Sequence, residues 1–593
     1  LFIFEYIWNI TITFRGNNKC RFQKQTSQKN MHEKILKTAN DWLSSPYDKT
    51  TQEKVKALIK KGGEELIESF YKELDFGTGG MRGIMGVGPN RINKYTIGKA
   101  TQGLANTLIS MYEGQDISIA IAYDCRNNSN KLALNVAEVL TANGIKAYLF
   151  NSLRPTPELS FAVRELGCKG GVVITASHNP KEYNGFKVYG ADGAQIVSPF
   201  DTELINKVRA LSIDEVNFSV NKELIFGLGA EMDNSYLARL KTLSLSPEAI
   251  IKQKDLSIVF TGIHGTGAVM VPKTLKAFGF NNVTTVASQD VIDGNFPTVH
   301  SPNPEEPAAL EQAILLAEEK GAELVMGTDP DADRVGIAIP NPEGEYVLLN
   351  GNQTGSLLVN YLISRWQELG KIKGNEFVAK TIVTTDLIDT IATTNNVKVY
   401  NTLTGFKHIG AIIKKLEGQE QFLGGGEESY GYLSGDFVRD KDAVMSCALI
   451  AEMVAWAKSS GKTLFNLMEE MYVEYGFYLE DLISITKQGR SGQEEISEKM
   501  SDLRKTPPKT IAGEEVTKVI DYLESEKTGL PKSNVLQFIT NKKTKVTARP
   551  SGTEPKIKYY FSVQEQLLSK SEYLYTKEKL TKKIAKIQSE MNL

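Results

Sequence analysis

Cysteine is scarce in this chain of 593 residues. There are four, Cys20, Cys125, Cys168 and Cys447, and no two form a C-x-x-C pair. That excludes a disulfide framework and fits a reducing, cytoplasmic setting. Long apolar runs are missing too: none reaches the about 18 residues that suggest a spanning helix. The best stretch, Ala448 to Ala457, is broken by Glu452. Charge of one sign is also lacking. Lys plus Arg number 69 and Asp plus Glu 71, a net charge of −2, without the basic footprint of a nucleic-acid binder. With 41% hydrophobic residues and so small a net charge, general disorder is excluded. No low-complexity tract interrupts the chain.

The first thirty residues lack the order of a secretory signal. Leu1 to Ile10 is apolar but holds Glu5 and Asn9, and no positive residue precedes it. Arg15, Lys19, Arg21, Lys24 and Lys29 then form a basic, faintly transit-like stretch. The simpler reading starts the protein at Met31, before the helical pattern Ile35, Leu36, Ala39, Trp42 and Leu43. Residues 1–30 are therefore expected to be a non-native or disordered extension.

What is present is a recurring unit, a short apolar strand running into a polar loop. Ile117 to Tyr123, Gly171 to Ile174, Leu256 to Phe260, Leu324 to Met326, Phe377 to Val383 and Phe422-Leu423 all read this way. Helix-period segments lie between them: Leu132 to Ala142, Ala308 to Glu319 and Gln353 to Leu369. Strands alternating with helices predict α/β layers. In open α/β sheets ligands sit at the carboxyl ends of strands, so chemistry is expected in the loops. The length suggests about four domains. Linker-like patches lie near Ile213 to Leu228, Pro340 to Gly344 and Gly461 to Gly476. A last, lysine-rich region ends in a helix with Tyr573, Leu580, Ile584, Ile587 and Met591 on one face.

Four loops could carry chemistry. In Asp329-Pro330-Asp331-Ala332-Asp333-Arg334, carboxylates at i, i+2 and i+4 of an extended loop project to one side. Such clustered anions call for a cation, and hard oxygens suit Mg²⁺ or Ca²⁺. An EF-hand would need glycine and glutamate where Arg334 and Pro340 stand, and an Asp-rich surface turn is the plain alternative. Thr175-Ala176-Ser177-His178-Asn179-Pro180 follows an apolar strand, so Ser177 is either a nucleophile or part of a simple turn. It lies in no G-x-S-x-G elbow. Arg549-Pro550-Ser551-Gly552-Thr553-Glu554-Pro555-Lys556 offers a guanidinium fork, hydroxyls and a glycine turn, the parts of a phosphate site or of an exposed turn. It is not a Walker A loop. Gly424-Gly425-Gly426-Glu427-Glu428-Ser429-Tyr430-Gly431 places Glu427 and Ser429 two apart, able to hold neighbouring sugar hydroxyls, or forms a glycine-rich turn beside a core strand. His264 reads as a structural turn residue.

Together, and in this order, the four loops resemble those of the α-D-phosphohexomutases, which include phosphoglucomutase and phosphomannomutase. The resemblance runs from about Asp75 to Tyr560, and its texture is most similar to the phosphoglucomutase-2-like branch. It implies three similar α/β mixed-sheet units plus a smaller α+β C-terminal domain around a central cleft. On that pattern the domains are 31–225 with the phosphoserine loop, 226–342 with the metal loop, 343–465 with the sugar loop and 466–593 with the phosphate loop. The resemblance makes Ser177 the phosphorylated serine. Asp329, Asp331 and Asp333 would hold Mg²⁺ with a phosphoserine oxygen. Glu427 and Ser429 would read the sugar, and Arg549, Ser551, Gly552 and Thr553 the phosphate not being transferred. Arg82 and His178 fall among the catalytic positions, and Arg126, Lys187 and Arg334 among the substrate-binding ones. Lys441 matches a general base or acid.

The implied activity is interconversion of hexose 1-phosphate and hexose 6-phosphate, glucose or mannose, with a sugar 1,6-bisphosphate as intermediate and activator. Two phosphate readers with a sugar reader between them suit a mutase better than a phosphatase. A phosphopentomutase, a bisphosphate synthase or hydrolase, and a silent sugar-phosphate sensor are the rivals. The partners expected are small sugar phosphates, with no nucleic acid and no membrane.

Overall fold

The computed structural model describes residues 31–77, 79–487, 489–551 and 556–593. The expected extension, residues 1–30, lies outside them, as do Gly552 and Thr553. The strands form four sheets. The first contains β1 (Gly80–Ile84), β2 (Ser118–Tyr123), β3 (Lys146–Phe150), β4 (Gly170–Ile174), β5 (Tyr183–Gly190) and β6 (Ile225–Leu228), in the order β1-β5-β4-β2-β3-β6. The second contains β7 (Ile258–Thr261), β8 (Val283–Thr285), β9 (Leu324–Thr328), β10 (Val335–Pro340) and β11 (Tyr346–Leu349), in the order β11-β10-β9-β7-β8. The third orders β12 (Glu376–Thr381), β13 (Lys398–Thr402), β14 (Gln421–Gly426) and β15 (Tyr432–Ser434) as β13-β12-β14-β15.

These three sheets repeat one plan. A parallel set of strands, buried by helices, is extended by an antiparallel strand on one side. Loop Thr175–Glu182 joins β4 to antiparallel β5, loop Asp329–Arg334 joins β9 to β10, and loop Glu427–Gly431 joins β14 to β15. Each chemical loop is thus the turn at the carboxyl end of an inner strand. Runs such as Gly-Gly-Val-Val-Ile in β4 and Leu-Val-Met-Gly-Thr in β9 are buried at every position, as parallel strands covered on both faces must be.

The fourth sheet differs. Its strands β16 (Phe477–Thr486), β17 (Thr510–Ile511), β18 (Glu514–Asp521), β19 (Leu536–Thr540), β20 (Lys545–Pro550) and β21 (Lys556–Glu565) pair antiparallel throughout, in the order β16-β21-β20-β19-β18-β17. The Arg549 loop is again a hairpin, between β20 and β21. The helix Tyr573–Glu590 covers this sheet with Tyr573, Leu580, Ile584 and Ile587 buried, the face expected from the spacing.

The linker-like patches carry structure of their own. Ile213 to Leu228 ends in β6, which completes the first sheet beside β3. The Pro340–Gly344 cluster is the β10–β11 turn, so the second sheet extends to Leu349. Gly461 to Gly476 contains the helix Leu464–Tyr475.

No helix among the described residues is long and apolar enough to cross a membrane. The apolar run at Ala448 lies in the helix Ala443–Ser459, which is buried almost all round and packs between the second and third units. Its Glu452 is fully buried, accepting from Tyr361 Oη and the Leu245 amide, both at 2.7 Å. A helix apolar on every side belongs in a core when such a charge is this well satisfied.

Candidate active site

Ser177 leaves β4 with φ 52, in the left-handed region that costs a non-glycine residue about 1–3 kcal/mol. The strain recurs: Ala332 in the aspartate loop has φ 49 and Tyr430 in the glycine loop φ 68. Around Ser177 the loop is held by Arg126. Its four terminal N–H groups donate to the carbonyls of Ser177 at 2.5 Å, Pro180 at 2.8 Å, Tyr183 at 3.1 Å and Asn179. Asp124 in turn fixes Arg126, accepting from its backbone N–H at 2.9 Å and lying 3.3 Å from Nε. Arg126, expected to read substrate, is a buried guanidinium whose terminal N–H groups donate to backbone carbonyls and so shape the loop.

The Ser177 hydroxyl donates to Asp329 Oδ2 at 2.8 Å and lies 3.1 Å from His178 Nδ1. Burial, then the charges of Arg334 and Arg82, hold the His178 pKa well below its usual range, so its ring is neutral. Arg82 donates to Asn179 Oδ1 at 2.9 Å, on the exposed rim of the same loop.

Asp329, Asp331 and Asp333 are buried, and one ligand oxygen from each lies within 4.8 Å of the others. Asp329 Oδ1 accepts from the backbone N–H groups of Asp333 and Arg334, each at 3.1 Å. Asp331 Oδ2 accepts from Thr156 Oγ1 at 2.9 Å and Lys187 Nζ at 2.7 Å. Lys187 and Lys441 reach Asp333 Oδ2 at 3.3 and 3.1 Å. Asp331 Oδ1 and Asp333 Oδ1 are buried without a hydrogen-bond partner. Unsatisfied buried carboxylate oxygens are costly, and three hard oxygens at this spacing fit a divalent cation.

Burial, then Asp331 and Asp333, push the Asp329 carboxyl well above the ordinary range. Burial also acts to raise Asp333, but Lys441, Lys187 and Arg334 outweigh it and hold that carboxyl below its usual value. For Lys187 burial favours the neutral amine, yet Asp331 and Asp333 win and raise its pKa. The same contest, won by Asp333, Asp440 and Glu427, keeps Lys441 an ammonium 3.0 Å from Asp440 Oδ1. Arg334 pairs with Glu305 and is held charged against burial by Glu305, Asp333 and Asp329.

The glycine run of the third loop is the end of β14 rather than a turn. A Cβ on Gly425 would meet the Ala379 carbonyl oxygen of β12 at 1.8 Å, so only glycine permits this strand pairing. Gly265 is required in the same way: a Cβ there would lie 2.5 Å from Pro330 Cα, where the His264 turn packs under the aspartate loop. His264 itself is buried, with its ring nitrogens 2.7 Å from the Val291 carbonyl and 2.8 Å from Thr298 Oγ1, a structural role. Glu427 Oε1 accepts from the Gly405 amide at 2.8 Å and acts electrostatically on Lys441 and Arg334. Ser429 is half-buried beside it. Glu428 turns the other way, accepting from Thr381 and Thr384 at 3.2 and 3.3 Å and facing Lys558 and Arg549 of the fourth sheet. Arg549 is half-buried, with Nη1 3.4 Å from Tyr560 Oη. Ser551 closes the hairpin, its N–H donating to the Lys556 carbonyl at 2.7 Å.

Comparison with known proteins gives this geometry a family. Models of the phosphoglucomutase/phosphomannomutase α/β/α domains I, II and III match residues 73–214, 234–344 and 350–475. A phosphoglucomutase of Staphylococcus haemolyticus is 40% identical over 511 residues, 84% of this chain and 91% of that protein. The chain belongs to the α-D-phosphohexomutase family. A phosphoglucomutase of Staphylococcus aureus strain N315 is also 40% identical, over 84% of this chain and 91% of its own length. In fold, this phosphohexomutase is similar to a putative phosphomannomutase from Thermus thermophilus, with TM-score 0.65, 22% identity, and 84% of this chain and 96% of that one covered. The open form of a Paramecium phosphoglucomutase, parafusin, also has TM-score 0.65, at 18% identity, covering 87% of this chain and 96% of that one.

The phosphohexomutase thus brings Ser177, His178, Lys187, the three aspartates, Arg334 and Lys441 into one connected cluster. Glu427 stands at its edge, and Arg549 is reached through Glu428. Sequence reasoning missed Thr156, Asp440, Glu305 and Lys558. Lys558 pairs in register with Arg549, and burial lowers its pKa beside Glu428. Its signal was the two-residue spacing of Lys556 and Lys558 after the fourth loop. Thr156 opens a helix far along the chain from Asp331 and carried no signal at all.

Proposed function

We propose that this enzyme interconverts hexose 1-phosphate and hexose 6-phosphate, glucose or mannose, by relaying a phosphoryl group through Ser177. The observation that carries the reading is the pairing of two anion readers. One is a serine hydroxyl set 2.8 Å from a buried carboxylate trio and ringed by cations. The other is the Arg549–Lys558 strand pair on a separate sheet. A hydrolase needs the first alone.

In this reading Ser177 Oγ carries a phosphoryl group that passes to the free hydroxyl of the bound sugar phosphate. The sugar O–P bond forms as the serine O–P bond breaks, and the hydroxyl proton leaves to a nearby base. The bisphosphate turns around, and its other phosphate returns to Ser177. Lys187, Arg334 and Lys441 surround the transferring group with positive charge, which is most of what phosphoryl transfer requires. Arg126 keeps the serine loop in its strained shape. Glu427 and Ser429 orient the sugar, while Arg549, Lys558 and Ser551 grip the phosphate at rest. Asp329, Asp331 and Asp333, with an oxygen of phosphorylated Ser177, would hold Mg²⁺. That ion would neutralise charge on the phosphoryl group. The sugar 1,6-bisphosphate serves as intermediate and activator. Cys125, Cys168 and Cys447 are free thiols, in keeping with a cytoplasmic enzyme acting on small sugar phosphates.

The test follows the phosphate. Intact protein is incubated with glucose 1,6-bisphosphate, and the modified residue is located by mass spectrometry. Isomer formation is measured beside free phosphate release. Label on Ser177 with isomer exceeding free phosphate supports the mutase. Label elsewhere, or phosphate release exceeding isomer, refutes it.

A further inference from the structure

A groove on the first unit lies outside the cluster described above. It is an open groove with a volume of about 840 Å³ between the helices Lys49–Lys61 and Ser129–Ala142, floored by the turn from Met85 to Lys94. Both helices present cations to it: Lys54 from the first, Lys131 from the second and Lys94 from the floor. None of these three forms an ion pair among the described residues, whereas Lys61 at the groove's end is already paired with Glu65 at 2.6 Å. Asn135 lines the same groove. It is 4% exposed, and among the described residues neither its carbonyl oxygen nor its amide nitrogen has a hydrogen-bond partner. A buried carboxamide left wholly unsatisfied costs about 1–3 kcal/mol and calls for a polar occupant.

We propose that this groove binds a phosphorylated, hydroxyl-bearing small molecule, its phosphate met by Lys54, Lys94 and Lys131 and its hydroxyls by Asn135. Four lysines, Lys54, Lys61, Lys94 and Lys131, outnumber Glu65 and Glu138 in the lining, so the charge balance favours an anion, and the carboxamide supplies one acceptor and two donors for hydroxyl groups. The volume suits a metabolite of sugar-phosphate size. The first wall of the groove, the helix Lys49–Lys61, lies before residue 73, where the match to the family's domain I begins.

The groove is wired to the serine loop. The Met85 amide donates to the Glu182 carbonyl at 2.8 Å. Ser129, first residue of the second helix, donates to Asp124 Oδ1 at 2.8 Å and accepts from Asn184 Nδ2 at 2.9 Å. Asp124 fixes Arg126, and Arg126 holds the Ser177 loop. An occupant drawing the two helices together therefore acts on the same hydrogen bonds that shape the serine turn, and the site is an effector site.

The experiment is hydrogen–deuterium exchange on the full chain, with sorbitol 6-phosphate and with inorganic phosphate as probes. Sorbitol 6-phosphate is expected to slow exchange in residues 49–61 and 129–142 at concentrations up to about 10 mM, and inorganic phosphate to do so more weakly. In a Lys54→Glu/Lys131→Glu variant, half-protection should need at least about tenfold more probe, since two charge-assisted contacts are reversed. Its mutase rate without probe should stay at the wild-type value, because neither lysine touches the Ser177 cluster. Asn135→Leu should weaken sorbitol 6-phosphate and leave inorganic phosphate unchanged. No protection of these helices, or protection equal in wild type and the double variant, overturns the proposal. Because exchange is read in the helices themselves, this outcome is separate from any failure of the Ser177 relay.

Discussion

In the proposed relay the Ser177 centre and the Arg549 hairpin both face phosphate, yet they are built in opposite ways. At Ser177 the loops are held by buried polar contacts, the serine loop by Arg126, Arg126 by Asp124, and the aspartate loop by Thr156, Lys187, Lys441 and its own amides, which leaves Asp331 Oδ1 and Asp333 Oδ1 for a cation. Its oxygens sit fully buried in a strained turn. Arg549 is half-buried, and its Nη1 makes a long contact to Tyr560 at 3.4 Å, on an antiparallel sheet that meets the third unit through the apolar cluster of Ile382, Val383, Leu403, Tyr522, Val535 and Tyr560 and through polar bridges. These are Lys545 to Asp386 at 2.6 Å, Gln537 to the Ile382 carbonyl at 2.8 Å and Thr390 to Tyr478 at 2.9 Å. The difference teaches a division of labour. The reacting centre is organised in advance, which is where electrostatic stabilisation of a transition state is gained. The resting-phosphate reader has only to grip, and must grip either end of the sugar.

The largest effect should come from the organised region. Ser177→Ala is expected to lower mutase turnover by roughly 10⁴-fold or more while leaving the circular dichroism and melting temperature near wild type. Turnover within tenfold of wild type would end the nucleophile assignment. Chelation comes next: EDTA should abolish activity and Mg²⁺ restore it, with Asp331→Asn losing the rescue. Full activity in metal-free protein, checked by elemental analysis, would show that the trio serves another purpose.

A smaller loss is expected on the gripping side. Arg549→Ala removes charge-assisted contacts of about 1.5–3 kcal/mol, a ten- to hundredfold loss. It should appear with either the 1-phosphate or the 6-phosphate as substrate, and bisphosphate should escape more often. A defect in one direction alone would mean that the hairpin does not serve both ends.

The smallest effect concerns the seam between the two regions. Burial raises the Glu480 carboxyl to about 7, against opposing contacts from Thr385, Lys545 and Ser562. A carboxyl raised in the folded state binds more protons there than when unfolded, so its contribution to stability is fullest at acid pH. That contribution should fall as pH rises from about 4.5 to about 7. Melting temperatures across that window should show a downward component that Glu480→Gln removes. An unchanged slope in the variant would place the titration elsewhere.

Much of this was legible in the chain. The apolar runs before Asp124, Ser177, Asp329 and Glu427 are strands, and their loops lie at the carboxyl ends, because short buried runs bounded by turn residues have few other solutions. Ala443–Ser459 was harder to read, since an apolar helix with one glutamate looks alike in a core and in a broken span until Tyr361 and Leu245 are seen to satisfy Glu452. Arg126 was hard to read for a related reason: a lone arginine after a strand gives no hint of whether its N–H groups will meet substrate or backbone. Lys558 was passed over because period-two lysines are ordinary on an exposed strand.

By itself the sequence determined the family and the candidate parts of its chemistry: Ser177 after a strand, three aspartates as hard oxygen donors, the Glu427–Ser429 pair and the basic Arg549 loop, in one order along an α/β chain. Those are local properties, set by residue type and by spacings of two to six residues. Tertiary structure alone decided which atoms meet. The Ser177–Asp329 hydrogen bond spans 152 residues and the Thr156–Asp331 bond 175. Contacts of that span depend on how separately formed sheets pack, and no local pattern encodes the angle between them. The same packing left Asn135 without a partner between two helices, a feature that no spacing along the chain announces.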